Sequence, residues 1–318
     1  MTIDAEILSL AAMAHEAGLP RDFTGRAPGE VRAAFAAVAM PMPEVALARV
    51  EDLEVDGAAG MLPARLYVPR AGARDALVFF HGGGFVLGDL DGHDDLCRRL
   101  AVGADSTVLS VAYRLAPEHP FPAAPEDAFA AVCWTHAHAE HLGLDAHTIG
   151  VAGDSAGGAL AAVASQLAAD RGGPPLAVQL LLYPVADHDF ERASYRANAD
   201  APFLTRAQMS WFWEHYAADP RDRLDPRASP LRAAALAGLP PTVVATAEHD
   251  VLADEGAAYA AALAAAGVPV VHRHFPGLVH GFASLAPFAC AARDAFDTVV
   301  SDLRMARTRH FRVRETDD

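Results

Sequence analysis

Residues 148–158 read Thr-Ile-Gly-Val-Ala-Gly-Asp-Ser-Ala-Gly-Gly, an apolar strand-like run entering a Gly-x-Ser-x-Gly turn and then an alanine-rich stretch. A serine hydroxyl becomes a nucleophile only when the backbone holds it exposed and a base lies within hydrogen-bond reach. Gly153 and Gly157, two residues to either side of Ser155, permit the sharp strand-to-helix turn that meets the first condition. Chance can also supply this pentapeptide, and a serine there can serve simply as a helix N-cap. Ser155 therefore needs partners elsewhere in the chain.

The chain offers them. The apolar run 76–80 ends in His81-Gly82-Gly83-Gly84-Phe85, where consecutive glycines let backbone N–H groups approach a ligand closely. Acyl transfer needs such donors where the oxyanion of the tetrahedral intermediate forms. Downstream, the run 242–245 leads to Glu248-His249-Asp250, and the run 270–275 leads to Gly277-Leu278-Val279-His280-Gly281-Phe282. A loop acid followed later by a loop histidine is the order of orienter and base that a Ser nucleophile of this type requires. Glu248 is a rival to Asp250 on the same loop. Asp254 and Glu255 open the next helical stretch and read as first-turn acids favoured by its dipole.

These residues need a frame to carry them. From about residue 48, strand-like runs (50–55, 62–68, 76–80, 107–113, 148–152, 178–183, 242–245 and 270–275) alternate with helical patterns (93–103, 125–141, 156–170, 254–266 and 287–306). That alternation predicts an α/β fold with a mostly parallel eight-stranded sheet and helices on both faces. Residues 1–45 carry helical spacing and predict two or three short helices outside the main pattern. Nearly sixty residues separate the sixth and seventh strands, too many for a structureless connection. We expect N-terminal cap helices in 1–45, a core in 46–185, a cap insertion in 186–225 and the rest of the core in 226–318. From Arg304, five arginines among eleven residues suggest a frayed, solvated end.

Together these motifs make the chain resemble the bacterial hormone-sensitive-lipase family of esterases, within the α/β-hydrolase fold. His81–Phe85 matches that family's oxyanion motif and Gly153–Gly157 its nucleophile motif. Residues 113–118 with 120–124 resemble its segment after the fourth strand, residues 250–255 its acid motif (with Val251 where Pro is commoner), and residues 277–282 its histidine motif. The resemblance implies Ser155 as nucleophile, His280 as base, Asp250 as its orienter, and an oxyanion hole from the N–H groups of Gly83, Gly84 and Ala156. His81, Gly82, Gly153 and Gly157 would support the motifs. It also implies short- or medium-chain acyl esters as substrates and no cofactor. Residues 1–45 and the insertion stand where the family builds its cap, so Phe203, Leu204, Trp211, Trp213 and Tyr216 either line the substrate pocket or form the cap's own core. Family members often pair through the last strand and helix, which makes a homodimer a candidate assembly. An amidase or peptidase would share the triad; a non-catalytic small-molecule receptor of this family would lack the histidine, which is present here.

Bulk composition removes other classes. A formal charge of −16, from 25 basic against 41 acidic residues, argues against nucleic acid or an anionic membrane as partner. All 25 basic residues are arginine; without lysine there is no Schiff-base anchor, Walker A lysine or Ser-x-x-Lys nucleophile. Cys97, Cys133 and Cys290 are odd in number and far apart, which suits a reducing compartment. Residues 1–20 include Asp4, Glu6 and Glu16 and lack a basic leader, so they read as no secretion signal, and a cytoplasmic location is expected. His136-x-His138-x-Glu140-His141 nearly spells a zinc motif, but on a helix positions 136 and 138 point about 160–200° apart. His272 and His274 share one face of a strand without an evident third ligand, so no metal site is expected.

Overall fold

The computed structural model of the chain describes residues 2–38 and 42–317, with side chains through 308. In chain order its elements are α1 (Ala5–Glu16), α2 (Pro28–Ala37), β1 (Arg49–Gly57), β2 (Gly60–Val68), β3 (Ala76–Phe80), α3 (Asp94–Ala104), β4 (Thr107–Val111), α4 (Ala123–Ala137), α5 (Ala139–Leu142), β5 (Ile149–Asp154), α6 (Ala156–Asp170) and β6 (Gln179–Leu182). Then follow α7 (Ala193–Ala197), α8 (Arg206–Tyr216), β7 (Thr242–His249), α9 (Ala253–Ala265), β8 (Val270–Val279), α10 (Phe282–Leu285) and α11 (Cys290–Asp317).

The eight strands form one sheet in the order β1-β2-β4-β3-β5-β6-β7-β8. The β1–β2 and β2–β4 pairings are antiparallel and the other five are parallel. Period-two alternation divides each central strand between two cores. Val78 and Phe80 point into the core with Leu160 of α6 and Leu263 of α9, while Leu77 and Phe79 join Leu96 and Leu100 of α3 and Val299 of α11. Because helices cover both faces, β3, β4 and β5 are buried at every position, which is why they read as near-continuous apolar runs. Parallel strands place all their C-terminal ends along one edge, and Phe80 pairs with Gly153 there. The glycine triplet after β3 is thereby set beside the serine turn after β5.

Two details differ from the sequence expectation. The helix expected over 125–141 breaks at His138 (φ −105°, ψ 11°), whose ring stacks on Trp134 at 4.3 Å and whose Nδ1 lies 2.9 Å from the Trp134 carbonyl. The arginine-rich end does not fray from Arg304, since α11 runs on to Asp317. Leu303 and Ala306 are buried on its inner face, and Arg307, also buried, pairs with Asp75 at 3.1 Å and reaches Ser106. Arg307 thus holds this turn of α11 against the partly exposed Asp75, although composition alone would leave it in water.

The tightest packing in the sheet lies beneath the serine turn. A Cβ at Gly157 would overlap the Phe80 carbonyl oxygen, and one at Gly153 the Gly157 carbonyl. Neither neighbour is the free end of a side chain, so neither can yield. Gly157→Ala should therefore cost roughly 3 kcal/mol or more of stability, read from the midpoint of urea unfolding, whereas substitution at the solvent-facing Gly172 turn should leave α6 packed.

Candidate active site

Ser155 takes the conformation φ +54°, ψ −118°, a region an L-residue enters at a cost on the order of 1–3 kcal/mol. The surroundings enforce it. Its N–H donates to the Leu182 carbonyl at 2.8 Å, and its own carbonyl accepts from Val185 N at 3.1 Å. The turn thus bonds to the end of β6 while α6 begins directly behind it, and the hydroxyl is lifted to the C-terminal edge of the sheet.

Two other strand ends deliver its partners. His280, immediately after β8, places Nε2 2.9 Å from Ser155 Oγ and Nδ1 2.8 Å from Asp250 Oδ2. Asp250, immediately after β7, is 1 % exposed, and its other oxygen accepts the Leu252 N–H at 2.9 Å. A carboxylate on Nδ1 selects the tautomer that leaves Nε2 free to accept the serine proton. Glu248, the sequence rival, is turned away: its Oε2 accepts the Gly277 N–H at 2.8 Å. The ring of Tyr183 meets the His280 imidazole edge to face at 4.9 Å. Asn198 donates its amide to the carbonyls of both Glu248 (3.2 Å) and Asp250 (3.1 Å), tying the insertion to the acid loop. Neither residue carries a motif or periodicity that singles it out.

Asp254 and Glu255 make contacts beyond the sequence expectation. Asp254 accepts the Ser194 N–H at 2.8 Å, and Glu255, fully buried, accepts the Ala186 N–H at 2.9 Å. Burial pushes the Glu255 carboxyl well above its ordinary range. Both acids stand in the first turn of α9, as expected, and in addition tether the segment that follows β6.

The glycine loop follows β3, whose end pairs with Gly153 and packs on Gly157, the residues that flank the serine turn. Gly83 (φ +116°) and Gly84 (φ +60°) adopt the left-handed region, and among the described residues no protein acceptor takes the N–H of Gly83, Gly84 or Ala156. Three such donors beside one hydroxyl form a site for an oxyanion. The loop is held from below. The Gly82 N–H donates to Asp154 Oδ1 at 2.8 Å, and the Tyr113 hydroxyl donates to the His81 carbonyl at 2.8 Å. His81, stacked on Tyr113 at 4.4 Å, is buried, and burial pushes its imidazole down to about 4, so it stays neutral.

Four of the five aromatic or aliphatic candidates in the insertion are buried against their neighbours. Tyr216 stacks on Phe85 at 3.8 Å, Trp213 meets His188 edge to face at 5.0 Å, Trp211 packs on Phe23 and donates to the Arg26 carbonyl at 3.2 Å, and Leu204 is 5 % exposed. Phe212, outside the candidate set, lies directly over Gly84, where a Cβ would strike its ring. Phe203, 38 % exposed and at φ +69°, lines a cavity of about 150 Å³ with Ala11, Leu19, Phe35, Pro202 and Gln208. That cavity lies between α1 and the turn before α8. Arg32 of α2 bonds the carbonyls of Val86 and Ala116 at 2.8 Å and pairs bidentately with Glu118, fastening the N-terminal helices to the glycine loop. Among the described residues no three His, Cys, Asp or Glu side chains cluster as a metal site; His272 and His274 instead flank the Thr246 hydroxyl at 2.9 and 3.0 Å. No helix among them is long and apolar enough to cross a membrane.

Comparison with known proteins gives a consistent picture. The alpha/beta hydrolase fold family matches residues 77–284. The chain is 48% identical to "Esterase LipI" of Mycobacterium tuberculosis over 263 residues, covering 81% of this chain and 82% of the relative. It is 42% identical to "Ethyl acetate hydrolase" of Pseudomonas putida, over 76% of this chain and 78% of that one. The solved structure of a hyperthermophilic esterase from the archaeon Pyrobaculum calidifontis superposes with a TM-score of 0.89 at 38% identity, covering 96% of this chain and all of that one.

The two acids of the loop after β7 should separate cleanly. Asp250→Asn should lower turnover through Ser155 by about 10⁴-fold, while Glu248→Gln, which can still accept the Gly277 N–H, should stay within about threefold. Steady-state kcat of both variants checks the assignment.

Proposed function

This chain belongs to the alpha/beta hydrolase fold family and is a carboxylic ester hydrolase of the bacterial hormone-sensitive-lipase type; on that premise we propose that it acts through an acyl-enzyme on Ser155. His280 takes the hydroxyl proton as Ser155 Oγ attacks the ester carbonyl, and Asp250 holds the imidazole in the required tautomer. The N–H groups of Gly83, Gly84 and Ala156 receive the oxyanion, each donor lowering the barrier by about 2.7–4 kcal/mol. His280 then protonates the departing alcohol. Water attacks the acyl-enzyme by the same route, with His280 again as base, and releases the acid. The observation that carries the reading is the unbroken chain from Asp250 Oδ2 through His280 to Ser155 Oγ, at 2.8 and 2.9 Å, together with glycine-loop N–H donors that have no protein acceptor among the described residues.

The substrates we infer are compact acyl esters of short to medium chain length. We assign α1, α2 and the segment 186–225 to a cap over the serine edge, a reading supported by aromatic side chains there that pack on one another and on the glycine loop. A closed cap of this kind suits dissolved esters better than an emulsified long-chain lipid. The relative named for ethyl acetate hydrolysis favours the same size class.

A panel of nitrophenyl esters of increasing acyl length tests both parts. kcat/KM should peak among short and medium chains and collapse for long ones. Ser155→Ala should remove about 10⁶-fold of kcat on every ester. A flat or rising profile to long chains would reject the size assignment, and retained turnover in Ser155→Ala would mean another nucleophile.

A further inference from the structure

Beneath the glycine loop lies a buried charge pair that the triad mechanism does not use. Asp154, next to the serine in sequence, is 5 % exposed, and its Oδ1 both accepts the Gly82 N–H at 2.8 Å and faces His93 Nε2 at 3.4 Å. His93 stands at the N-cap of α3, and its other nitrogen, Nδ1, lies 3.3 Å from the Asp89 carbonyl. Both ring nitrogens thus face acceptors. The Asp154 contact is an ion-pair distance, and neutral imidazole offers a single N–H, whereas imidazolium presents a positive N–H to both acceptors.

We propose that His93 is a positioning residue for the ester hydrolysis described above: a buried imidazolium that holds Asp154, which through the Gly82 N–H holds the oxyanion loop. The proposal rests on the reading of Ser155 as nucleophile and of the Gly83 and Gly84 N–H groups as oxyanion donors. Gly82 immediately precedes those donors, so the Asp154 contact fixes where their backbone starts. The donors must sit within tenths of an ångström of the developing oxyanion to act in the transition state.

The groups around the pair leave it as the charge-bearing element of the pocket. His81, whose ring lies 5.3 Å from that of His93, is kept neutral by burial. Burial also keeps the Cys97 thiol on α3 and the Tyr113 and Tyr183 phenols protonated. Phe79 supplies an apolar wall, its ring 6.4 Å from His93. Asp89, in the loop before α3, and Asp154, at the end of β5, are the acids on His93. Burial opposes the positive charge on His93, but Asp154 outweighs it and holds the imidazole above its ordinary value; the reciprocal attraction holds Asp154 below its own despite complete burial. Because the folded-state value of His93 is raised, the stabilisation is fully present below the ordinary histidine range and is lost as pH rises through the raised value. At that point Asp154 becomes an unpaired buried carboxylate, and the loop that it holds loosens.

An effect confined to the oxyanion donors changes kcat with little change in KM. Two measurements test this. In full-length Ser155→Ala protein labelled with ¹⁵N, both ring nitrogens of His93 should keep their imidazolium signals to a pH above the ordinary histidine value; titration at or below that value overturns the proposal without reference to activity. In active enzyme, kcat should decline in alkaline solution at the pH where those signals titrate. His93→Gln should lower kcat about tenfold with KM within about twofold, and the alkaline decline should vanish. A decline that survives His93→Gln at the same midpoint, or wild-type kcat in that variant, also overturns it. One organophosphonate per chain should still label His93→Gln, which separates a loosened oxyanion loop from a mistaken nucleophile.

Discussion

The structure depends on one close approach of backbone to backbone. The turn from β5 into α6 passes so near the end of β3 that only glycine fits at 157, and so near itself that only glycine fits at 153. Pairing of Phe80 with Gly153 sets the two strand ends level. Ser155 is then forced to φ +54° and its hydroxyl raised above the sheet edge, while the residues after Phe80 turn across it as the glycine loop. Ser155 and the glycine loop to which we assign the oxyanion are therefore positioned by the same contact, and strain at the serine persists because hydrogen bonds to Leu182 and Val185 over-determine it.

Around that contact the remaining parts are supported from several sides. Asp250 and His280 follow the ends of β7 and β8, where a register shift between Ala247 and His249 re-aims the acid loop. The segments that we assign to a cap are joined to the same parts and do not merely rest on them. Asn198 holds the acid loop, Arg32 holds the loop after Phe85, and Phe212 covers Gly84. A substitution in the cap can thus reach the chemistry without touching substrate, because the cap and the oxyanion loop share hydrogen bonds and packing.

Much of this was legible in the sequence because it is local. Strand runs, glycine spacing and the order Ser155, Asp250, His280 are written in residue type and position, and α/β alternation gives the sheet. What was not legible is what depends on which distant residues meet. Motif resemblance favours Asp250 over Glu248, but the physical separation comes only when β8 delivers His280 to one and Gly277 to the other. Glu255 reads as a first-turn acid, yet folding buries it against the Ala186 N–H. Arg307 reads as a solvated tail charge until α11 lays it against Asp75. Asp154 is the exception that carried a signal: an acid at the end of an otherwise apolar buried strand asks for a partner, although the identity of that partner, His93, required the fold.

The most direct test of Ser155 as the nucleophile held by this turn is intact-mass analysis after treatment with an organophosphonate. The account predicts one covalent adduct per chain, located on the peptide containing Ser155, absent from Ser155→Ala and strongly slowed in His280→Ala. An unlabelled wild-type chain, or an adduct on another residue, would contradict it.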